Sequence, residues 1–384
     1  MGVRARTVCL LSAAALMSAP ALAEAATPAQ YRAVERGLER LVAEPTGPPG
    51  AMATFHRGGS TTVVSVGKAN ARTGARARVG DHMRIASMSK AFSGAVVLNL
   101  VGKGRLALGD TIGERLPSMP VAWHAVTIRQ LLNHTSGVPE YIGTDELAEH
   151  LRTNPSGILR PATLLEWVSD EGLDFPPGSK YTYSNSDNVI LGLIAERATG
   201  KRYENLLASI VFRPTRLSET FMATRTALPR PFIHGYDVTP GQEPEDLSSV
   251  LTPTIGWASG GLVSTPLEVG RFFRAYLRGR FFGAAQKRAQ RRFVPGGDSV
   301  PAGPGTNGAG LALFRYRTRC GTVYGHTGSF PGYAQWAAAT ADGKRSVTTT
   351  LNIQPPPPGS AQLGRLRRVQ TVAVCALLRK GEGR

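Results

Sequence analysis

The chain has 384 residues and a formal net charge of +18 at neutral pH. Its length allows two ordinary domains or one large composite domain with a substantial core. The basic residues are scattered apart from a small cluster at 287–292, and no aromatic residues repeat among them. This pattern argues against nucleic acid as a partner. It fits either electrostatic attraction to an anionic cell wall or membrane surface, or simply an arginine-rich composition.

Residues 1–23 have the pattern of a secretory signal peptide. Arg4 and Arg6 supply a charged start, residues 8–16 an apolar run, and residues 21–23 a small-residue cleavage site. The run is too short to span a bilayer, and no later stretch is long enough, so we predict no transmembrane segment. We therefore expect the mature chain, residues 24–384, to be secreted and associated with the cell wall.

Apolar periodicity predicts helices at 28–43, from Ser87 to about 102, at 264–278 and at 360–379. Alternating and β-branched runs predict strands at both ends of the chain. The predicted strands are 51–55, 61–66, 310–316, 321–325, 333–341 and 346–353.

Strands at both ends of the chain, with helices and long loops between them, predict an α+β fold. We expect one antiparallel sheet assembled from the N- and C-terminal segments and flanked by helices. Residues 24–86 and 295–384 would form this α/β part, and residues 87–294 would be an inserted, mainly helical region.

Ser87 and Lys90 stand three positions apart where an apolar helical stretch begins. Residues i and i+3 share a helix face, so the Lys90 amine can reach the Ser87 hydroxyl and activate it as a nucleophile. Free N–H groups and the positive end of the macrodipole at a first helical turn also favour an oxyanion and a neutral lysine. The same spacing recurs at Ser65 and Lys68. There a predicted strand runs into Gly67, so these two side chains would not share a face.

A second polar group lies at residues 183–188. The Tyr183 phenol can act as general base and then as general acid beside a lysine, and the Asn185 amide can bind the substrate. Residues 186–188 read S-D-N, the triplet that other SxxK enzymes use. The triplets 183–185 and 186–188 follow each other directly, so both cannot act in the same site. We favour Tyr183 and Asn185, because Ser186 begins the next predicted helix.

His326, Thr327 and Gly328 follow a predicted strand, and Ser329 comes directly after them. A strand edge that carries a hydroxyl and a ring able to become cationic can bind a carboxylate. Taken singly, such a histidine is more often a structural or surface residue.

Removal of the signal peptide would leave two cysteines, Cys320 and Cys375. In an exported chain this favours one disulfide over two free thiols. No cluster of cysteine and histidine has the spacing of a zinc site, so we expect no metal and no cofactor.

The order S-M-S-K, Y-S-N, H-T-G resembles the serine β-lactamase and penicillin-recognising superfamily. Within it, the chain is most similar to the class C branch and its exported D-alanyl-D-alanine carboxypeptidases. The likeness covers nearly all of the mature chain, with support from residues 131–137, 177–178 and 259–266 and from the cysteine before the third motif. It implies that Ser87 is acylated while Lys90 and Tyr183 share the proton transfers. Backbone N–H groups of Ser87 and of a residue near Ser329 would form the oxyanion hole.

The resemblance also assigns residues outside the three motifs. His134 would be a structural marker of the fold, and Trp257 would be an aromatic wall of the pocket, with a core position as the alternative. Most related β-lactamases have lysine where His326 stands, whereas the H-T-G form resembles peptidases and relatives that release D-amino acids. Histidine is only partly charged at neutral pH. Binding of a carboxylate would then need a nearby arginine, for which Arg315 and Arg317 are candidates.

These observations together predict a monomeric, penicillin-sensitive serine D-Ala-D-Ala carboxypeptidase that cleaves peptidoglycan peptides through an acyl-enzyme. One alternative is a β-lactamase, esterase or D-aminopeptidase with the same site. Another is a penicillin-binding sensor without turnover. The absence of a G-x-S-x-G motif argues against an α/β-hydrolase esterase.

Overall fold

The computed structural model describes Gly2, residues 27–354 and residues 357–379. The predicted signal peptide therefore lies outside the described residues apart from Gly2. Within the described ranges, no helix is both long and apolar enough to cross a membrane.

Strands form three sheets. In chain order the strands are β1 (Gly50–Arg57), β2 (Ser60–Gly67), β3 (Met83–Arg84), β4 (Phe221–Met222), β5 (Tyr236–Asp237), β6 (Glu245–Asp246), β7 (Leu262–Ser264), β8 (Thr306–Gly310), β9 (Leu313–Thr318), β10 (Gly321–Phe330), β11 (Tyr333–Ala339) and β12 (Ser346–Leu351).

Helices flank the sheets and fill the middle of the chain. They are α1 (Arg32–Val42), α2 (Ser89–Gly102), α3 (Ile112–Arg115), α4 (Ile128–Leu132), α5 (Asp145–Thr153), α6 (Pro161–Glu166), α7 (Ser186–Thr199), α8 (Tyr203–Leu206), α9 (Arg213–Thr215), α10 (Trp257–Gly260), α11 (Pro266–Arg278), α12 (Ala284–Gln290) and α13 (Ala361–Leu378).

The main sheet has seven strands in the order β2-β1-β12-β11-β10-β9-β8. All its neighbours are antiparallel, and β1 pairs with β12 in a register that sets Ala51 opposite Leu351. The two ends of the chain therefore meet in the middle of one sheet, which confirms the predicted α+β architecture. The two small sheets, β3-β7-β4 and β5-β6, are separate from the main sheet.

Two hydrophobic cores cover the two faces of the main sheet. Helices α1 and α13 pack against each other and against one face, where Tyr31 stacks on Phe55 with ring centroids 4.4 Å apart. Helix α11 packs on β11 and β12 from the other side, and α2 and α7 continue that core. A disulfide joins Cys320, next to β10, to Cys375 in α13, so the expected pairing is confirmed.

Several predicted boundaries were wrong near the third motif. The predicted strand 310–316 is two strands, β8 and β9, separated by a turn in which Ala312 has φ +49°. Strand β10 continues to Phe330 rather than ending at 325, so the H-T-G motif lies inside the strand. Ser65 lies in β2 as predicted, and its hydroxyl donates to the Ala77 carbonyl at 3.2 Å.

Candidate active site

Ser87 lies in a short 3₁₀ turn, Ala86–Met88, directly before α2. Ala86 has φ +49°, a left-handed conformation that costs energy for a residue with a Cβ and often marks a functional site. Strand β10 passes against this turn at Gly328. A Cβ added there would come within 2.4 Å of the Ile85 carbonyl oxygen. Glycine in the H-T-G motif therefore lets the strand approach the serine.

Lys90 is fully buried and reaches Ser87 from the next turn, as the spacing predicted. Its Nζ lies 3.1 Å from Ser87 Oγ, and it also donates to the Ser259 carbonyl at 3.0 Å and to Asn185 Oδ1 at 2.6 Å. Burial lowers the pKa of Lys90 from 10.5 to about 7, although the negative charge of Glu140 opposes this effect. A large fraction of the lysine is therefore neutral near pH 7 and can accept a proton.

Glu140 holds Asn185 in place by hydrogen bonds, and it was not among the site residues predicted from the sequence. Its carboxylate accepts hydrogen bonds from the Asn185 backbone N–H and, at 3.1 Å, from Asn185 Nδ2. The other carboxylate oxygen accepts from the Ile142 N–H at 2.8 Å. Burial raises the pKa of Glu140. The only signal in the sequence was its place just after residues 131–137, a segment that supported the family resemblance.

The Tyr183 side chain also lies close to Lys90. The centre of its ring lies 4.9 Å from Lys90 Nζ. Within the described residues the hydroxyl is buried without a hydrogen bond of ordinary geometry. Burial raises the pKa of the phenol, and the nearby Ser87 hydroxyl only partly opposes this. The phenol therefore stays protonated at neutral pH, so Lys90 is the better base, and Tyr183 holds a proton that it can pass on when Lys90 replaces it.

His134 and Asp187 form a buried pair behind the Tyr183 loop. His134 Nδ1 lies 2.8 Å from Asp187 Oδ2, and the His134 ring centre lies 4.6 Å from that of Tyr183. The His134 carbonyl accepts the Thr182 N–H at 2.9 Å. Burial lowers the pKa of His134 to about 3 and raises that of Asp187. These contacts position the loop, and Ser186 begins α7 as predicted.

His326 is also buried and neutral, so the expected partial positive charge on its ring is wrong. Its ring stands edge-on to Phe314 at 4.9 Å, and Nδ1 lies 2.6 Å from the Thr327 carbonyl, to which it can donate. Burial, and next the nearby charge of Lys90, lower the pKa of His326 to about 3. Thr327 is buried opposite Trp336. Neither His326 nor Thr327 lines the cleft described below.

The cleft beside Ser87 has a volume of about 470 Å³. It brings together Ser87, Tyr183, Asn185 and Ser329 from the predicted set. The remaining lining residues are Ala86, Glu140, Tyr141, Ile142, Leu147, Leu151, Leu251, Ile255, Gly256, Ser259, Gly260, Val300, Phe330, Pro331 and Gln354. The cleft is therefore mainly apolar, and Glu140 is the one ionisable carboxylate among these described lining residues.

The structure does not bring Trp257 or Arg315 to the cleft. Trp257 is a core residue, which was the alternative to a place in the pocket wall. It is 7% exposed, and its Nε1 donates to Glu204 Oε1 at 3.3 Å. The Arg315 guanidinium instead stacks over Phe293, 4.5 Å from the ring centre.

Arg317 is exposed outside the cleft lining as well. The residue of β9 that faces His326 is Phe314. The strand therefore places an aromatic ring, and no guanidinium, beside His326. No arginine, lysine or histidine stands among the described residues that line the cleft.

A serine, a buried lysine and a tyrosine, held where a helix begins beside an antiparallel sheet, define a serine hydrolase of the penicillin-recognising class. Residues 38–371 match the Beta-lactamase family, and the chain belongs to that family.

The chain is 28% identical to Penicillin-binding protein 4* of Bacillus subtilis over 284 residues, 70% of this chain and 60% of that protein. It spans less than two thirds of the length of this relative. Among solved structures, the D-stereospecific amidohydrolase from Streptomyces sp. superposes with a TM-score of 0.75 at 27% identity, over 84% of this chain and 94% of that one.

The D-amino acid amidase from Ochrobactrum anthropi shares the fold with a TM-score of 0.77 at 23% identity, over 90% and 98% of the two chains. An octameric penicillin-binding protein homologue from Pyrococcus abyssi shares it as well, with a TM-score of 0.73 at 20% identity, over 89% and 76% of the two chains. The expected monomeric state of this chain therefore remains a prediction.

Proposed function

We propose that the protein hydrolyses amides or esters of D-amino acids through an acyl-enzyme on Ser87. The contact of 3.1 Å between Lys90 Nζ and Ser87 Oγ, made by a lysine whose burial lowers its pKa to about 7, carries this proposal. A serine hydroxyl needs an adjacent base to act as a nucleophile, and a lysine that is half neutral at pH 7 is such a base.

Acylation begins when neutral Lys90 takes the proton of the Ser87 hydroxyl. Ser87 Oγ then forms a bond to the substrate carbonyl carbon, and the carbonyl oxygen becomes an oxyanion. The N–H groups of Ser87 and of a residue near Ser329 are its expected donors, since Gly328 lets the end of β10 approach the turn of Ser87.

Collapse of this intermediate breaks the bond between the carbonyl carbon and the leaving group. The Tyr183 phenol gives its proton to the leaving nitrogen or oxygen and regains one from the Lys90 ammonium. Water then attacks the acyl-enzyme, its proton passes to the same pair of groups, and Ser87 leaves with a proton. Asn185 bridges Lys90 to Glu140 throughout, which holds the amine in place.

The charge of the cleft supports a substrate that lacks a carboxylate after the scissile bond. Glu140 lines the cleft, whereas no cation does among its described lining residues, and the ammonium form of Lys90 next to Ser87 is already bound by Asn185 and the Ser259 carbonyl. One buried guanidinium, that of Arg84, packs against Phe330 of the cleft lining. It is buried 5.1 Å from the Phe330 ring centre and donates to the carbonyls of Thr226 and Ser248. An unpaired carboxylate in such a site would cost far more free energy than an uncharged amide or ester group.

The apolar part of the cleft suits the side chain of the acyl group. Leu147, Leu151 and Ile255 line it, and apolar side chains gain free energy by leaving water. The D configuration rests on the relative from Streptomyces sp., which is named as D-stereospecific. D-Ala-D-Ala carboxypeptidase activity stays a prediction. The match to a penicillin-binding protein favours it, and the missing carboxylate partner argues against it.

The test compares two peptides that differ only at the C-terminus: diacetyl-Lys-D-Ala-D-Ala and the same peptide with a C-terminal amide. We expect kcat/KM to be at least tenfold higher for the amide-capped peptide, and D-phenylalanine amide to be cleaved faster than its L enantiomer. Ser87→Ala serves as the control and should abolish every turnover.

Faster cleavage of the free acid would overturn the selectivity and support the carboxypeptidase. Absence of any Ser87-dependent turnover or acylation would overturn the proposed function as a whole.

A further inference from the structure

A second concave site lies away from the catalytic cleft, at the C-terminal half of α11. It is a depression of about 560 Å³ lined by Arg271, Arg274 and Arg278 of α11, by Arg280 after the helix and by His56 of β1. We call it the arginine depression. Its remaining lining residues are Pro214, Thr215, Ala275 and Gly279. No acidic residue stands among these described residues, and none of them also lines the cleft of Ser87.

The three helical arginines are held on one face of α11. Their spacing of three and four residues places their side chains side by side, where like charges repel. Arg274 is half-buried, and its Nη1 donates to Ser346 Oγ of β12 at 2.7 Å. Gly270 leaves the space for this contact, because a Cβ there would lie 3.2 Å from Ser346 Oγ and 3.4 Å from Arg274 Nη1. The central guanidinium is therefore packed into the fold.

The one carboxylate of α11 is close to only one of these arginines. The Glu268 carboxylate already accepts hydrogen bonds from the segment before β4. The Glu219 N–H donates at 3.1 Å, and the Thr220 hydroxyl donates at 2.6 Å. Arg271 comes only within 3.9 Å of Glu268. It donates instead to the Arg216 carbonyl at 2.6 Å.

The other three guanidiniums of the depression lack an acidic partner among the described residues. Across the described part of the chain, neither Arg278 nor Arg280 makes an ion pair or a side-chain hydrogen bond. Burial, and then the charges of Arg278 and Arg271, lower the pKa of Arg274 to about 10. Four guanidiniums thus converge, and only that of Arg271 has a carboxylate within 4 Å, Glu268 at 3.9 Å.

We propose that the arginine depression binds a ligand that carries several phosphate groups. Guanidinium groups bind phosphate oxygens in pairs of parallel hydrogen bonds, and their charge does not depend on pH in the neutral range. A single carboxylate would neutralise only one of four guanidiniums, whereas an oligophosphate brings several charges at once. The volume lies within the range of about 300–1,000 Å³ that is usual for small-molecule sites.

Isothermal titration calorimetry at fixed ionic strength tests this with two probes, sodium tripolyphosphate and phosphatidylglycerol vesicles. The first probe carries three phosphate groups on one molecule, and the second presents lipid headgroups that each carry one phosphate. We expect tripolyphosphate to bind the wild-type protein. Arg278→Glu/Arg280→Glu, which changes two exposed side chains, should weaken that binding at least tenfold, and Arg274→Gln should weaken it as well.

Arg317→Glu/Arg319→Glu is the matched control, because it makes the same charge change at exposed positions outside the depression. Circular dichroism and thermal melting verify that each variant is folded. If tripolyphosphate does not bind the wild-type protein, whether or not the vesicles do, or if the control pair weakens binding as much as the depression variants, the proposal is wrong. Hydrolysis at Ser87 should be unchanged in the exposed depression pair, so this test is independent of the proposed function.

Discussion

The pH dependence of acylation follows from the environment of Lys90. The fall of its pKa from 10.5 to about 7 corresponds to about 5 kcal/mol against the ammonium form, at about 1.36 kcal/mol per pH unit. With the lowered pKa, about half of the lysine is neutral at pH 7. With the ordinary value, only about 0.03% would be neutral. Burial therefore increases the amount of active base by about three orders of magnitude.

The reactive form is the neutral amine, so kcat/KM should rise with pH, pass its midpoint near 7 and then level off. Below the midpoint we expect a fall of about tenfold per pH unit. The assay is hydrolysis of a nitrophenyl ester, read at the wavelength where nitrophenol and nitrophenolate absorb equally. A rate that stays constant down to pH 5 would refute the assignment of Lys90 as the base.

Glu140→Gln sharpens this test. The negative charge of Glu140 raises the pKa of Lys90, so its removal should move the acid limb to lower pH. Asn185 lies between the two groups, and opposite charges separated by one side chain at an effective dielectric constant of about 20 interact by on the order of 3 kcal/mol, which limits the shift to about two pH units. Glu146→Gln is the matched control, because Glu146 is exposed on α5 and its loss should leave the midpoint unchanged. A midpoint that moves upward in the Glu140 variant would contradict the electrostatic reasoning.

Three further variants test other parts of the site and fold. Tyr183→Phe removes only the phenol oxygen, so kcat should fall by about 10²-fold or more while the melting temperature stays nearly constant; an unchanged kcat would remove Tyr183 from the proton transfers. Gly328→Ala brings a Cβ within 2.4 Å of the Ile85 carbonyl and should cost about 1–3 kcal/mol of unfolding free energy together with activity, as denaturant titration would report. Cys320→Ser with Cys375→Ser opens a link between residues 55 positions apart. It should cost about 2–4 kcal/mol and make stability insensitive to reductant, unlike that of the wild-type protein.

The elements that carry the site could be predicted where the signal is local. The spacing of Ser87 and Lys90 on a helix, and the rejection of Ser65 and Lys68 in a strand, needed only the periodicity of the neighbouring residues. The assembly of one sheet from both ends of the chain followed from the order of strands and helices. The pairing of Cys320 and Cys375 was the preferred alternative from their number alone.

The electrostatics of the site could not be predicted, because they depend on packing between distant segments. His326 is neutral since β9, β10 and the Tyr183 loop bury it together. Arg315 was a reasonable carboxylate partner by its distance in sequence, but the register of β9 turns Phe314 toward His326 instead. Trp257 lies next to a cleft-lining segment in sequence and is nevertheless buried against Tyr203.

The sequence by itself therefore determined which side chains share a helix turn or a strand, because backbone geometry fixes those neighbours within a few residues. Only the tertiary structure decided that Lys90 is desolvated, that Glu140 and Ser259 join it, and that the cleft lacks a cation among its described residues. These properties arise where segments more than 40 residues apart exclude water from one another. Solvent exclusion of this kind, which sets pKa values and charge balance, has no signature in local spacing.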